Sequence, residues 1–281
     1  MTNTVIVVGK DSYIGGHLAR YLRATDSEVV SLSSSDCDFR HSEEVDALFS
    51  SLGNRPVTIV FLAVIKKAAS NDYQGYLDNV SLVDNLVQAG SRPTIRSIVY
   101  LSSVDVYGTH PELPIDEQTR IDPDTWYGLA KYTCEWMLAS SGTVRCPTTI
   151  LRIPGIFGKA HNDNSVIGRM VASARADGRI AVCGGGDTLR DYVCLDDLCK
   201  LIAMLVHSQY NGIVNIATGK SRTILEIAEC INQVLQGEVD IVVQVNRDVR
   251  SFDLVFDNSR LTSLFPEFRF CELEAAVRTY V

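Results

Sequence analysis

With 281 residues the chain has room for about two domains of ~150 residues each, and a core of that size needs neither disulfides nor metal to hold it. Its 46% hydrophobic and 21% charged residues exclude a disordered chain or a membrane-embedded bundle. A net charge of −8 argues against nucleic acid or an anionic membrane as the main partner, so an anionic ligand has to be met by locally gathered Lys and Arg.

Eight cysteines are scattered without a C-x-x-C pair, so metal-ligand spacing is absent and reduced core thiols are expected. The longest apolar stretch, Val57–Ile65, is too short to span a bilayer, and no leader-like segment is read before the first strand-like run. A soluble cytoplasmic protein is the expectation.

Short β-branched runs alternate with longer helical segments through the first half. The strand-like runs are Thr4–Val8, Glu28–Leu32, Val57–Leu62, Ile95–Leu101 and Pro147–Ile153, apolar on both faces as in a sheet covered on both sides. Between them, helices are predicted over Tyr13–Arg23, over Glu43–Leu52 after Ser42 as N-cap, and over Tyr76–Ala89. This alternation predicts an α/β, Rossmann-type doubly wound parallel sheet.

After about residue 155 the rhythm degrades. Helices are predicted over Val166–Ala176, Leu195–Val206, Thr223–Leu235 and Glu272–Tyr280, among shorter strands and a glycine cluster at Gly184–Gly186. The expected division is a dinucleotide-binding domain of residues 1–155 plus roughly 187–218, and a smaller, irregular C-terminal substrate domain of 156–186 and 219–281.

The first strand runs into Gly9-Lys10-Asp11-Ser12-Tyr13-Ile14-Gly15-Gly16 and then a helix. A glycine-rich strand-to-helix turn aims backbone N–H groups and the helix dipole at an anion, as a dinucleotide pyrophosphate requires. Ser12 stands at the middle glycine of the usual pattern, where its hydroxyl either weakens binding or donates a compensating hydrogen bond. The second strand ends at Leu32-Ser33 rather than in the acidic residue that binds an NAD ribose. With Lys10 as a phosphate partner, NADP(H) is favoured over NAD(H). Asp38 and Phe39 are candidate adenine contacts.

Leu101-Ser102-Ser103-Val104-Asp105-Val106-Tyr107-Gly108 is followed by Trp126-Tyr127-Gly128-Leu129-Ala130-Lys131. Tyr127 and Lys131, four apart at a helix start, share one face. A free phenol, with a pKa of ~10, is a poor proton-transfer group at neutral pH, and an adjacent ammonium is expected to lower it. Ser103, at the end of the fourth strand, can hydrogen-bond the same reacting oxygen.

On these motifs the chain resembles, over nearly its whole length, the extended short-chain dehydrogenase/reductase family, in its nucleotide-sugar epimerase, dehydratase and reductase branch. The resemblance implies Ser103, Tyr127 and Lys131 as catalytic residues. It implies a cofactor site of Gly9, Lys10, Ser12, Tyr13, Ile14, Gly15, Ser33, Asp38, Phe39, Leu62, Ala63, Lys66, Asn79 and Pro154, joined by Tyr127 and Lys131. Arg190, in Arg190-Asp191-Tyr192-Val193, and Arg250, in Arg250-Ser251-Phe252-Asp253, are implied to bind a sugar nucleotide's diphosphate. Ser103, Asp105 and Asn164 complete the implied substrate contacts. The resemblance also implies a homodimer formed through the Tyr76–Ala89 and Trp126–Ala139 helices.

Two departures bear on the reaction. Val104 takes one of the acidic places of the dehydratases and only Asp105 remains, so dehydration is not expected. Gly155 stands where several epimerases have a substrate-contacting asparagine. The expected activity is hydride transfer between NAD(P) and a nucleotide-linked sugar, first reduction of a 4-keto (6-deoxy) sugar, with C4 epimerisation on bound NAD as the rival. Intact Ser103, Tyr127 and Lys131 argue against a catalytically silent dinucleotide sensor.

Overall fold

The protein is described from a computed structural model, over residues 4–25, 28–159, 165–244 and 252–280. The alternation read from the sequence is present as β1 (Thr4–Val8), α1 (Tyr13–Ala24), β2 (Glu28–Leu32), α2 (Ser42–Leu52), β3 (Val57–Phe61), α3 (Tyr73–Ala89), β4 (Ile95–Ser103), a 3-10 turn (Val104–Tyr107), α4 (Trp126–Ser140) and β5 (Thr148–Ile153). It continues through β6 (Gly155–Phe157), α5 (Val166–Asp177), β7 (Arg179–Cys183), β8 (Leu189–Arg190), β9 (Tyr192–Cys194), α6 (Leu195–Val206) and β10 (Gly212–Asn215). The last elements are β11 (Arg222–Thr223), α7 (Ile224–Val234), β12 (Asp240–Gln244), α8 (Ser259–Leu264) and α9 (Leu273–Tyr280).

Six strands form one sheet in the order β10-β5-β4-β3-β1-β2, and β1 runs parallel to both β2 and β3. The chain passes from β1 to β2 on one side and then crosses to β3 on the other, so strand order reverses at β1. Open α/β sheets bind ligands at such a switch point, outside the carboxyl ends of the strands. Register sharpens it: Val8 pairs with Leu32 and with Phe61, so Gly9, Ser33 and Leu62 leave the sheet at one level. The expected α/β doubly wound sheet is borne out.

Strand β1 is buried along its whole length, and Phe39, Ile59, Phe61, Leu86, Ile98 and Tyr100 pack the core beside it. Helix starts follow cap chemistry. Asp72 accepts the Gly75 N–H at 2.8 Å and begins α3 three residues earlier than predicted. The Ser42 cap is corrected: Ser42 is the first helical residue, and His41 precedes it without a side-chain cap bond.

Packing divides the chain into two compact units, Met1–Gly108 with Ile121–Arg152 and Cys199–Val214, and Thr109–Arg120 with Ile153–Leu198 and Asn215–Val281. The second unit is built from strand pairs, β6 with β9, β7 with β12, and β8 with β11, around a core that includes Ile167, Val171, Ile180, Val182, Ile227 and Val277. These strands are two to five residues long, which is why no continuous apolar run announces them.

Candidate active site

The turn after β1 is shaped by close approach. Gly9 has φ +106°, and a Cβ there would lie 3.0 Å from the Ala63 nitrogen. At Gly15 a Cβ would lie 2.1 Å from the Gly9 oxygen, so the turn closes only around glycine. Gly9 and Lys10 both donate backbone N–H to the Leu32 oxygen, at 2.7 and 2.9 Å, which ties this turn to the end of β2. Ser12 caps α1 by accepting the Gly15 N–H at 3.0 Å, and a hydroxyl that accepts there keeps its own hydrogen for an anion. Tyr13 and Ile14 open the helix. A bare-backbone cradle at a helix N-terminus, on a topological switch point, fits a dinucleotide pyrophosphate.

Asn79 shapes the opposite wall. Its amide donates to the Ile65 and Gly75 carbonyls at 3.1 and 2.8 Å and accepts the Ile65 N–H at 2.9 Å, pinning the loop that carries Leu62, Ala63 and the exposed Lys66. At the β2 end, the Ser33 backbone and hydroxyl both donate to Asp36, and Lys10 Nζ lies 2.6 Å from the same carboxylate oxygen. These bonds hold Asp36 well below the usual carboxylate range, Lys10 first. Asp38 is clamped by Arg40 at 2.5 Å, and the Phe39 ring is committed to the core against Phe61 at 5.1 Å. Pro154 is buried between β5 and β6.

Ser103 ends β4, and Tyr127 and Lys131 stand one turn apart at the start of α4, whose cap Thr125 accepts the Gly128 N–H at 3.0 Å. Ser103 Oγ donates to Asp105 Oδ2 at 2.7 Å, and Lys67 Nζ donates to Asp105 Oδ1 at 2.9 Å. Lys131 is buried; its Nζ donates to the Leu101 carbonyl at 2.5 Å, 4.8 Å from the Tyr100 ring centre and 5.9 Å from that of Tyr127.

The expected direction of the Tyr127 shift is reversed. Burial, then the Asp105 carboxylate, push the phenol up, against the nearby Ser103 hydroxyl that pulls it down. Burial also pushes Lys131 down to about 8 by taking its ammonium out of water, against the nearby Cys134, Glu135 and Asp105 that pull it up. Burial and the Asp105 carboxylate therefore favour a protonated phenol.

Several participants escaped the sequence reading. Asp36 lies four residues beyond the end of β2, and Lys67 had no motif to mark it. Asn71 accepts the Tyr127 N–H at 3.1 Å. Glu135, one further turn along α4, is buried against Arg152 at 2.7 Å and accepts from Ser102, while Arg152 donates to the Tyr107 hydroxyl at 2.9 Å. The continued spacing Tyr127, Lys131, Glu135 was the available signal for that residue.

In the second unit, Arg190 is half-buried; its guanidinium donates to the Leu189 and Phe252 carbonyls and lies 4.6 Å from the Phe252 ring centre. It lines a cavity of about 480 Å³ with Tyr192, Phe157, Phe265, Phe268 and Arg269. A Cβ on Gly155 would lie 2.5 Å from the Tyr192 ring, so that ring fills the space a larger side chain would take. Asn164 and Arg250 lie outside the described residues.

The sequence model of the NAD dependent epimerase/dehydratase family matches residues 5–217. The chain belongs to that family. The extended branch expected from the motifs, and with it an enzyme family built around a nicotinamide dinucleotide, is thereby borne out. Among curated relatives of this family member, GDP-L-fucose synthase 1 of Arabidopsis thaliana is 24% identical, covering 92% of this chain and 86% of that protein. GDP-6-deoxy-D-mannose reductase of Pseudomonas aeruginosa is 26% identical over 86% and 83% of the two chains. The solved RMD of Pseudomonas aeruginosa, complexed with NADPH, superposes with a TM-score of 0.84 at 23% identity, covering 99% of this chain and 97% of that one. WbmH of Bordetella bronchiseptica, in complex with NAD+, gives 0.82 at 18%, over 99% and 97%. These structures share the family fold. Among the described residues no helix is long and apolar enough to cross a membrane.

Proposed function

We propose that the protein reduces the 4-keto carbon of a nucleotide-diphosphate-linked (6-deoxy) sugar at the expense of a nicotinamide dinucleotide. The reading is carried by the placing of Ser103 at the end of β4 with Tyr127 and Lys131 one turn apart at the start of α4, the phenol pushed toward its protonated form by burial and Asp105. Gly9, Lys10, Ser12, Tyr13, Ile14, Gly15, Ser33, Asp38, Leu62, Ala63, Lys66 and Pro154 hold the cofactor, with Asn79 fixing their loop and the Phe39 backbone beside the adenine. Bound there, the cofactor supplies the hydride. Tyr127 gives its proton to the oxygen of the reacting carbon, and Ser103 orients that oxygen. Lys131 holds the cofactor ribose. Ser103, Asp105 and Asn164 contact the substrate, and Arg190 and Arg250 bind its diphosphate with permanently charged donors. In this reading residues 1–155 with roughly 187–218 hold the dinucleotide, and 156–186 with 219–281 hold the sugar nucleotide.

The cofactor preference rests on the β2 end. Ser33 in place of a carboxylate, and Lys10 beside it, favour NADP(H). Asp36 opposes them, since it occupies Lys10 and sets a negative charge near a 2′-phosphate. That observation favours NAD(H), the cofactor of the second reading, C4 epimerisation with retained NAD. A homodimer is proposed through α3 and α4, where Tyr73, Trp126, Tyr132 and Trp136 are exposed, Trp136 by 59%. A cytoplasmic setting matches the scattered, free cysteines.

Mixing the protein with NADPH or NADH and a nucleotide-linked 4-keto sugar, and following nicotinamide absorbance, tests the reading. Stoichiometric loss of the reduced cofactor supports reduction. Epimer formed without net loss establishes the second reading, and no turnover of either kind on a panel of nucleotide sugars ends both.

A further inference from the structure

Four elements meet at one buried ion pair. Glu135 on α4 and Arg152 near the end of β5 face each other at 2.7 Å, each side chain 3% exposed. Arg152 Nε also donates to both Glu135 oxygens, at 3.1 and 3.2 Å. From there the pair reaches out in two directions. Glu135 Oε1 accepts from Ser102 Oγ on β4, and Arg152 Nη1 donates to the Tyr107 hydroxyl at 2.9 Å, with the guanidinium 4.9 Å from that ring's centre. Ser102 and Tyr107 are themselves buried.

Ser103 stands between these two held points. It follows Ser102 directly and caps the 3-10 turn that Tyr107 ends, accepting the Asp105 N–H at 3.1 Å. Glu135 lies two turns along α4 from Tyr127 and one from Lys131, on the same face. The 3-10 turn and the start of α4 press together: a Cβ on Gly128 would lie 2.6 Å from the Asp105 carbonyl oxygen. A shift of the turn is therefore passed to the helix residue next to Tyr127. Apolar side chains could fill the space of the ion pair at similar stability, because two buried charges give up their hydration. Apolar packing has no direction, however, and could not fix a strand end and a turn against a helix as these bonds do.

We propose that the Glu135–Arg152 pair is a positioning device that, through Ser102 and Tyr107, sets Ser103 against Tyr127. The inference rests on the reductive reading above, in which Ser103 orients the oxygen that Tyr127 protonates. Ser102, Tyr107, Glu135 and Arg152 act through Ser103 or through α4, so they are positioning residues and not catalytic ones.

The test unties the pair without breaking it. Ser102→Ala removes the bond to β4, Tyr107→Phe removes the bond to the turn, and both leave the contact between Glu135 and Arg152 in place. The whole chain is assayed with a nucleotide-linked 4-keto sugar and the reduced dinucleotide, after urea unfolding has shown each variant folded under assay conditions. Expected for the double variant is a kcat about tenfold below wild type, since a misplacement of about 1 Å can cost about a hundredfold, with KM for both substrates within about twofold. Each single variant shows part of that fall, and should one fail to fold, the other carries the comparison. A kcat within about twofold of wild type in the double variant, or a loss confined to KM, overturns the proposal and leaves the pair a matter of stability alone. A second readout needs no substrate: ring-carbon NMR of labelled tyrosine, with Tyr127→Phe to assign the signal. The Tyr127 signal moves in the double variant if the turn and α4 have shifted against each other, and an unchanged signal overturns the positioning. Should wild type turn over no nucleotide sugar, the functional reading falls, while the Tyr127 signal still judges the ion pair's role.

Discussion

Lys131→Met separates the catalytic use of the buried ammonium from its effect on stability. Lys131 is 4% exposed, and burial lowers its pKa from 10.5 to about 8. At neutral pH that difference between folded and unfolded chain costs about 3 kcal/mol. Removing the amine leaves the Leu101 carbonyl short of a donor, which takes back about 1–3 kcal/mol. The absolute change at pH 7 is therefore small, and the pH dependence is the decisive quantity. Between pH 8 and 10.5 the unfolded chain still holds the proton that the folded chain has released, so wild-type stability gains from this group as pH rises. Going from about pH 7 to about pH 9.5, wild type gains about 2 kcal/mol on Lys131→Met. Urea unfolding of both proteins at both pH values measures this, because all other titrating groups cancel in the difference. A gap that stays constant with pH refutes the buried-ammonium argument.

Asp36→Asn frees Lys10 and removes a carboxylate from the β2 end, so the kcat/KM ratio of NADPH to NADH should rise about tenfold; an unchanged ratio means that Asp36 does not face the ribose. Arg152→Met strands the Glu135 carboxylate, which is 3% exposed like its partner, and should cost about 3–5 kcal/mol in denaturant titration, whereas adding Glu135→Leu recovers much of that loss. Trp136→Glu places a charge in the exposed aromatic face of α3 and α4 and should halve the mass seen by light scattering; a wild type that is already monomeric removes the dimer from the account.

The first unit was legible because its signals are local. Strands buried on both faces read as unbroken apolar runs, a strand-to-helix turn that needs glycine at residues 9 and 15 writes glycine there, and two side chains four apart on a helix share a face whatever surrounds them. The second unit was less legible because β6, β8, β9 and β11 are two or three residues long and carry no period. The direction of the Tyr127 shift was beyond reach for another reason. Spacing brought Lys131 near, but where an ammonium points is decided by the nearest unsatisfied acceptor, here the Leu101 carbonyl, and burial then acts on both groups. Asp36 and Lys67 were invisible because each matters through a partner distant in sequence or outside any motif, Asp105 lying 38 residues from Lys67.

Two features of the site bear on different steps and so need not agree about the reaction. A phenol held protonated by its own burial and by Asp105 suits giving a proton to an oxyanion, which is the reductive direction; an epimerase needs the same phenol as a base in the first half of its cycle. The Asp36–Lys10 pair acts instead on the adenosine end, where it disfavours a 2′-phosphate without touching the proton chemistry. Consumption of NADH with a 4-keto sugar would therefore leave the Tyr127 argument standing and correct only the cofactor preference drawn from Ser33. Epimerisation without cofactor loss would instead require the phenolate to be reached at neutral pH, against the burial and the Asp105 carboxylate that now push it up, and would place the burden on the bound cofactor's positive charge to reverse them.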